Sequence, residues 1–220
     1  MLFQGVLTKM QTELSVPINY YLTLGNDIVQ VHQLVCKKLK LKFMGYQCLS
    51  CGSDAVIFRQ GYCKSCFFEL PQTADWIMHP EKSKAHLGIE ERDLEYEKKV
   101  QLQPHIVYLA NSSNVKVGVT RKTQVPTRWI DQGAQSALEI LEVPNRYLAG
   151  IAEVSLKNHV SDKTNWREML KGKAADTDLT IERQKLISHL PQELKPYVLN
   201  NNTPLNLSLI HISEPTRHER

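Results

Sequence analysis

Four of the chain's five cysteines fall between residues 48 and 66, as two C-x-x-C pairs: Cys48 with Cys51, and Cys63 with Cys66. A two-residue spacer lets both thiolates of a pair face one tetrahedral ion. Gly52 and Gly61 stand where each pair needs a tight turn. Two such pairs, eleven residues apart, point to a zinc cage. Four protein ligands leave the ion no open position, so the cage is structural and does not activate water. Redox exchange is the competing reading of C-x-x-C, and a second pair closing a small loop argues against it. "SDAVIFRQ" between the pairs is the right length for a short hairpin. Cys36 stands alone on an apolar stretch and reads as a small buried side chain. Around the cage, Arg59 and Lys64 interleave with Tyr62, Phe67 and Phe68, a mixture suited to gripping nucleic acid. Phe67 and Phe68 are expected to pack inward.

The second set of chemistry-bearing residues lies in "HIVYLANSSNVKVGVTRKTQVPTRWIDQGA" and in the downstream stretch "AGIAEVSLKNH". Phosphodiester hydrolysis needs a divalent ion held by a carboxylate, a cation at the developing charge, and a group that positions or deprotonates water. Glu153, Arg128 and Tyr108 suit these three roles. Each also has a plainer reading. Tyr108 fits an inward aromatic on a buried strand, and Gly118 fits close strand packing. Glu153 precedes Lys157 by four residues and can form half of a helical ion pair. Arg128 opens a helix, where the dipole disfavours a cation, and that favours a functional reason for its position. His159, Asp162 and Trp166 are candidates to line the same region.

Elements that could position these residues follow from the pattern. Residues 1–46 read as β-rich, with "PINYYLTL" and "KKLKLKFMGY" as short apolar runs around the turn "GND". "IEERDLEYEKKVQL" reads as a charged, solvent-facing helix ended by Pro104. "HIVYLA" and "VKVGVT" form a hairpin across "NSSN". "VPTRWIDQGA" opens a helix closed by Gly133, and "ALEILEVP" is a third strand. "NRYLAGIAEVSLKNHV" is a helix capped by Asn145, and "DLTIERQKLISHLPQEL" is another, ended by Pro191.

The whole chain sets bounds. At 220 residues, 42% hydrophobic and 23% charged, it is long enough for a sizeable core and is not disordered in composition. No apolar run reaches membrane-spanning length and the N-terminus lacks a secretory pattern, so a soluble, cytoplasmic protein is expected. Residues 1–70 carry a net charge of +3, residues 71–103 of −2 and residues 104–170 of +2. The basic excess falls on the two segments that hold the motifs, which is compatible with a polyanionic partner such as DNA or RNA.

Ile106–Tyr108, Lys116–Gly118 with Thr120 and Arg121 following, Arg128 and Glu153 together resemble the motifs of the GIY-YIG nuclease superfamily. The likeness is to its shorter branch, with a K-[IV]-G-x-[ST] second motif. It implies a catalytic set of Tyr108, Lys116, Gly118, Arg128 and Glu153, with Glu153 holding Mg²⁺ or Mn²⁺ and Arg128 and Arg121 meeting phosphate. The chain departs from the pattern where "GIY" becomes Ile-Val-Tyr and Lys116 replaces the second tyrosine. Those departures favour an alternative: a non-catalytic nucleic-acid or protein binding module on a degenerate nuclease fold.

Over residues 1–200 the blocks "GYQCLSCG", "GYCKSCF", "ADWIMHPE", "PHIVYLA", "KVGVTR", "PTRWIDQGA" and "EVPNRYLAGIAEV" resemble an uncharacterised bacterial family, DUF2797. The expected fold is α+β. A β-rich segment (1–46) leads to a zinc module (47–70), then a connector with a charged helix (71–103). A GIY-YIG-like domain (104–170) and a helical segment (171–206) follow. "LSLIHISEPTR", Leu207 to Arg217, resembles a translated sequencing adapter, so residues 207–220 are expected to be a non-native tail.

Overall fold

The computed structural model describes residues 2–160, 177–201 and 203–207. Their architecture is α+β, with two antiparallel sheets. In the first, β1 (Gln11–Glu13), β2 (Asn19–Leu24) and β3 (Asp27–Gln30) lie in sequence order. The run "KKLKLKFMGY" forms no strand, contrary to expectation, and Leu39, Leu41, Phe43 and Met44 remain exposed. Gln11–Glu13 takes the place beside β2 instead, so the apolar run has no ladder to join. Cys36 is also exposed, with φ 61°, rather than buried.

The second sheet carries the core. Its strands are β4 (His105–Asn111), β5 (Val115–Arg121), β6 (Ser136–Val143) and β7 (Leu205–Asn206), in the order β5-β4-β6-β7. The β4–β5 hairpin turns at Ser112–Asn114, as "NSSN" predicts. All seven residues of β4 are buried, because both faces of this central strand are covered. On one face Val107 and Leu109 cluster with Ala149, Ala152 and Leu156 of α4 (Arg146–Lys157) and with Leu179 and Leu186 of α5 (Leu179–Ile187). On the other, Ile106, Tyr108 and Ala110 cluster with Trp129 and Ile130 of α3 (Thr127–Asp131) and with Ile18 of the N-terminal segment.

Between β4 and β6 the register shifts at Val107/Tyr108: Val107 faces Leu141, and Tyr108 faces Glu139. The extra residue, Ile140, gives its carbonyl to the Leu199 amide at 2.9 Å, so the bulge leaves that acceptor satisfied.

Helix ends follow their local chemistry. Asn145 Oδ1 accepts from the Leu148 amide at 2.9 Å and starts α4. Gly133, at φ 66°, takes the left-handed turn that closes α3. The charged helix α2 (Leu94–Gln101) starts at Asp93, whose side chain accepts from the Tyr96 amide. It is not wholly solvent-facing: Glu97 is 1% exposed and accepts from the amides of Glu91, Arg92 and Asp93. These three amide donors offset the cost of taking the carboxylate out of water. No helix among the described residues is long and apolar enough to cross a membrane.

Candidate functional site

The four paired cysteines converge. Their sulfurs all lie within 4.8 Å of one another, an arrangement that can hold one metal ion such as zinc. The Cys63 amide donates to Cys48 Sγ at 3.3 Å, and Ser53 Oγ lies 3.2 Å from Cys51 Sγ. Backbone hydrogen bonds, chiefly that from Cys63, hold the Cys48 thiol down to about 6. Cys66 sits on the short helix α1 (Lys64–Glu69). The hairpin expected between the pairs shrinks to one bridge, Arg59 with Tyr62. Phe67 and Phe68 do not reach the main core. With Phe58 they form a three-ring cluster at centroid distances of 5.3–5.7 Å, and Phe68 stays 57% exposed. Arg59 lies over Phe58 at 5.3 Å, and Lys64 is exposed on α1.

The second set is built around Tyr108. This residue pairs across the hairpin with Gly118, and its ring lies on the space a side chain there would fill. The hydroxyl donates to Gln132 Oε1 at 2.8 Å, and Trp129 flanks the ring at 5.7 Å between centroids. Burial pushes the phenol up to about 12, against the charge and hydrogen bonding of Arg128 and with the charge of Glu153. The phenol is therefore neutral at physiological pH. Lys116, buried on β5, has its pKa lowered by burial and by the neighbouring Arg128. Glu153 is 13% exposed and lies 3.6 Å from Lys157 Nζ, the helical pair expected of it. Burial raises its pKa, Lys157 opposes this, and Glu81 adds to it.

Beside this set lies a cleft of ≈ 230 Å³, bordered by Arg121, Arg128, Arg146, Thr120, Tyr96 and Asp131. The N-terminal segment reaches it through Lys9, whose Nζ meets Asp131 Oδ2 at 2.6 Å. Arg146 is fixed at the wall. Its Nε and Nη2 donate to the carbonyls of Trp76 and Ile77 at 3.2 and 2.8 Å, and its guanidinium lies 5.5 Å from the Trp76 ring. Gly150, one turn further along α4, presses on the turn that starts at Pro80: a Cβ there would stand 2.2 Å from the Glu81 amide nitrogen. Glu81 Oε2 is buried with no hydrogen-bond partner among the described residues.

Of the residues singled out from sequence, Arg121 and Arg128 border the cleft, while Arg59 and Lys64 belong to the cysteine module. Tyr108, Lys116, Gly118 and Glu153 are not among the residues that border the cleft; the charge of Arg128 and, in the opposite sense, that of Glu153 act on the Tyr108 phenol. His159 is exposed and stacks on His189, and Asp162 and Trp166 lie outside the described residues. Sequence reading gave Arg146, Gln132 and Glu81 no role. Arg146 is seven residues from Glu153, so a helical wheel puts both on one side, the only signal for it. Leu207 is buried in the second core cluster and its amide donates to the Gln135 carbonyl at 2.7 Å; residues 208–220 lie outside the described residues.

No curated protein and no solved structure matches the chain. A family model described as a protein of unknown function, DUF2797, matches residues 36–217, a span that includes the cysteine cage, the Tyr108 set and the three cleft arginines. With most of its length matched, the chain belongs to the DUF2797 family.

Proposed function

We propose that the protein binds nucleic acid in the arginine-bordered cleft and hydrolyses a phosphodiester bond there with the help of a divalent cation. The observation that carries this reading is positional: Arg121 and Arg128, two of the positions that match the nuclease motifs, border one cleft together with Arg146. The resemblance of these positions to GIY-YIG motifs supports it. Arg128 is exposed at the cleft, where its charge can meet a phosphoryl oxygen as negative charge develops. Tyr108, neutral and fully buried, positions Arg128 and Gln132 rather than accepting a proton.

In this reading Mg²⁺ or Mn²⁺ is assigned to the carboxylate side of the set. The charge of Glu81 acts on Glu153, Glu81 Oε1 lies 3.4 Å from His79 Nδ1, and Glu81 Oε2 is a buried acceptor without a hydrogen bond among the described residues. Glu153 and Glu81 would hold the ion, and when bound it supplies Lewis-acid polarisation of a phosphoryl oxygen. The four-cysteine cage holds a structural zinc and fixes the basic, aromatic ribbon around Arg59.

Full-length protein, with Mg²⁺ or Mn²⁺ and end-labelled single- and double-stranded DNA and RNA, tests this. Cleavage is expected, and Glu153→Gln and Arg128→Ala should each reduce it by about 10²-fold or more. A second reading, a non-catalytic binding module, is favoured by Lys116 standing where the motif has tyrosine. Salt-sensitive binding without cleavage under any of these conditions would establish it instead.

A further inference from the structure

Arg146 carries a charge that the protein does not balance at close range. Two of its five N–H groups are spent on the Trp76 and Ile77 carbonyls. No ion pair among the described residues includes it, and Glu153 and Glu81 act on it only at longer range. Arg121 and Arg128 repel it. Burial, the largest effect, pulls its pKa down to about 10, which still leaves it protonated at pH 7. Desolvating a guanidinium beside two others is costly, and an anion that completes its donor fork would offset that cost.

A separate observation points to the same place. Thr120, on β5, also borders the cleft; it is 3% exposed, and its Oγ1 has no hydrogen-bond partner among the described residues. A buried hydroxyl without a partner costs about 1–3 kcal/mol unless a ligand meets it. At ≈ 230 Å³ the cleft has room for about seven waters at ~30 Å³ each, more than a single phosphate group fills.

We propose that Arg146 and Thr120 form a rigid second phosphate site, which grips the phosphate next to the one at Arg128 on a bound nucleic-acid strand. Arg146 is a binding residue here, held at a fixed angle by the carbonyls of residues 76 and 77. This inference deepens the reading of the Tyr108 site as a nuclease site and rests on it for the ligand class.

The test uses full-length Glu153→Gln protein, so that binding is read without hydrolysis, and fluorescein-labelled single-stranded DNA and RNA from 50 to 200 mM salt. Adding Arg146→Ala should weaken binding about tenfold and reduce the slope of log K against log salt by about one. Arg146→Lys should restore the slope but not the affinity, because an ammonium lacks the planar fork. Thr120→Val, nearly isosteric, should weaken binding several-fold with no change in slope, and it serves if Arg146→Ala fails a thermal-melt check of folding. If Arg146→Ala and Thr120→Val bind like their parent while Arg128→Ala loses binding, the second site is wrong and the nuclease reading survives. If binding depends on Arg146 and wild-type protein cleaves nothing, hydrolysis falls and the second site stands. If no oligonucleotide binds, both fall.

Discussion

The Tyr108 ring lies directly on Gly118, its cross-strand partner: a Cβ on Gly118 would stand 2.7 Å from the phenolic oxygen and 2.8 Å from Cζ. Glycine at this position supplies space rather than backbone freedom, since the strand conformation is one any residue adopts. The empty space lets the phenol lie flat enough to reach Gln132 and meet Arg128. Gly118→Ala should therefore lower stability by about 1–3 kcal/mol, the usual range for overpacking a core. A shifted urea midpoint at unchanged m checks it, and Tyr108→Leu in the same chain should recover part of the loss.

Gly150 makes the equivalent contact on the other side of the site. Gly→Ala inside a helix ordinarily stabilises by about 0.5–1 kcal/mol. Here the new methyl would meet backbone, 2.2 Å from the Glu81 amide nitrogen and 2.4 Å from the Pro80 carbonyl carbon, so Gly150→Ala should destabilise. It should also weaken nucleic-acid binding, because α4 must move and Arg146 with it. Thermal melts and anisotropy measured together check both halves.

His105 predicts the acid limb of stability. Its Nδ1–H donates to the Gln103 carbonyl at 2.7 Å, and its Nε2 is buried without a partner among the described residues. Burial lowers its pKa to about 4, below the ordinary value of 6.5. The unfolded chain thus binds the proton more readily, and the stability from neutral His105 is present above pH 6.5 and lost as pH falls towards 4. The loss should be ~3 kcal/mol, and His105→Gln should flatten this part of the urea profile.

Glu153 has the opposite sign. Burial raises its pKa, so its contribution is complete below the ordinary glutamate value and is lost as pH rises through the folded value. Glu153→Gln should melt above wild type at pH 8, and the difference should close as the solution is acidified past pH 4. A gain in stability accompanied by loss of cleavage would mark Glu153 as a residue kept for function rather than for folding.

The cysteine cage predicts a metal dependence. Elemental analysis should return about one zinc per chain. A strong chelator should unfold at least the segment around residues 47–70, read by loss of protection from proteolysis there. Cys48→Ser should have the same effect without chelator. Four freely titrating thiols in the folded protein, with no metal, would overturn the cage.

Much of the frame was legible because it depends on short-range rules. The spacing of the four cysteines, the "NSSN" hairpin, the Asn145 cap and the Gly133 stop are each decided within a few residues, and each occurs in the fold. Where partners come from far away, the same rules misled. "KKLKLKFMGY" has strand-like composition and finds no strand to pair with, and "IEERDLEYEKKVQL" reads as surface although Glu97 is drawn inside by distant amides. Phe67 and Phe68 found each other and Phe58 instead of the core.

From its sequence alone, the chain determines a four-cysteine cage, a hairpin that carries Tyr108 and Gly118, and the helices that carry Arg128 and Glu153. Residue type and spacing specify these, since each is a local geometric demand. Tertiary structure alone decides that Arg146 joins Arg121 and Arg128 at one cleft. It does so because the carbonyls of Trp76 and Ile77, seventy and sixty-nine residues away, fix the Arg146 side chain. No local pattern encodes a side chain held by backbone so distant in the chain.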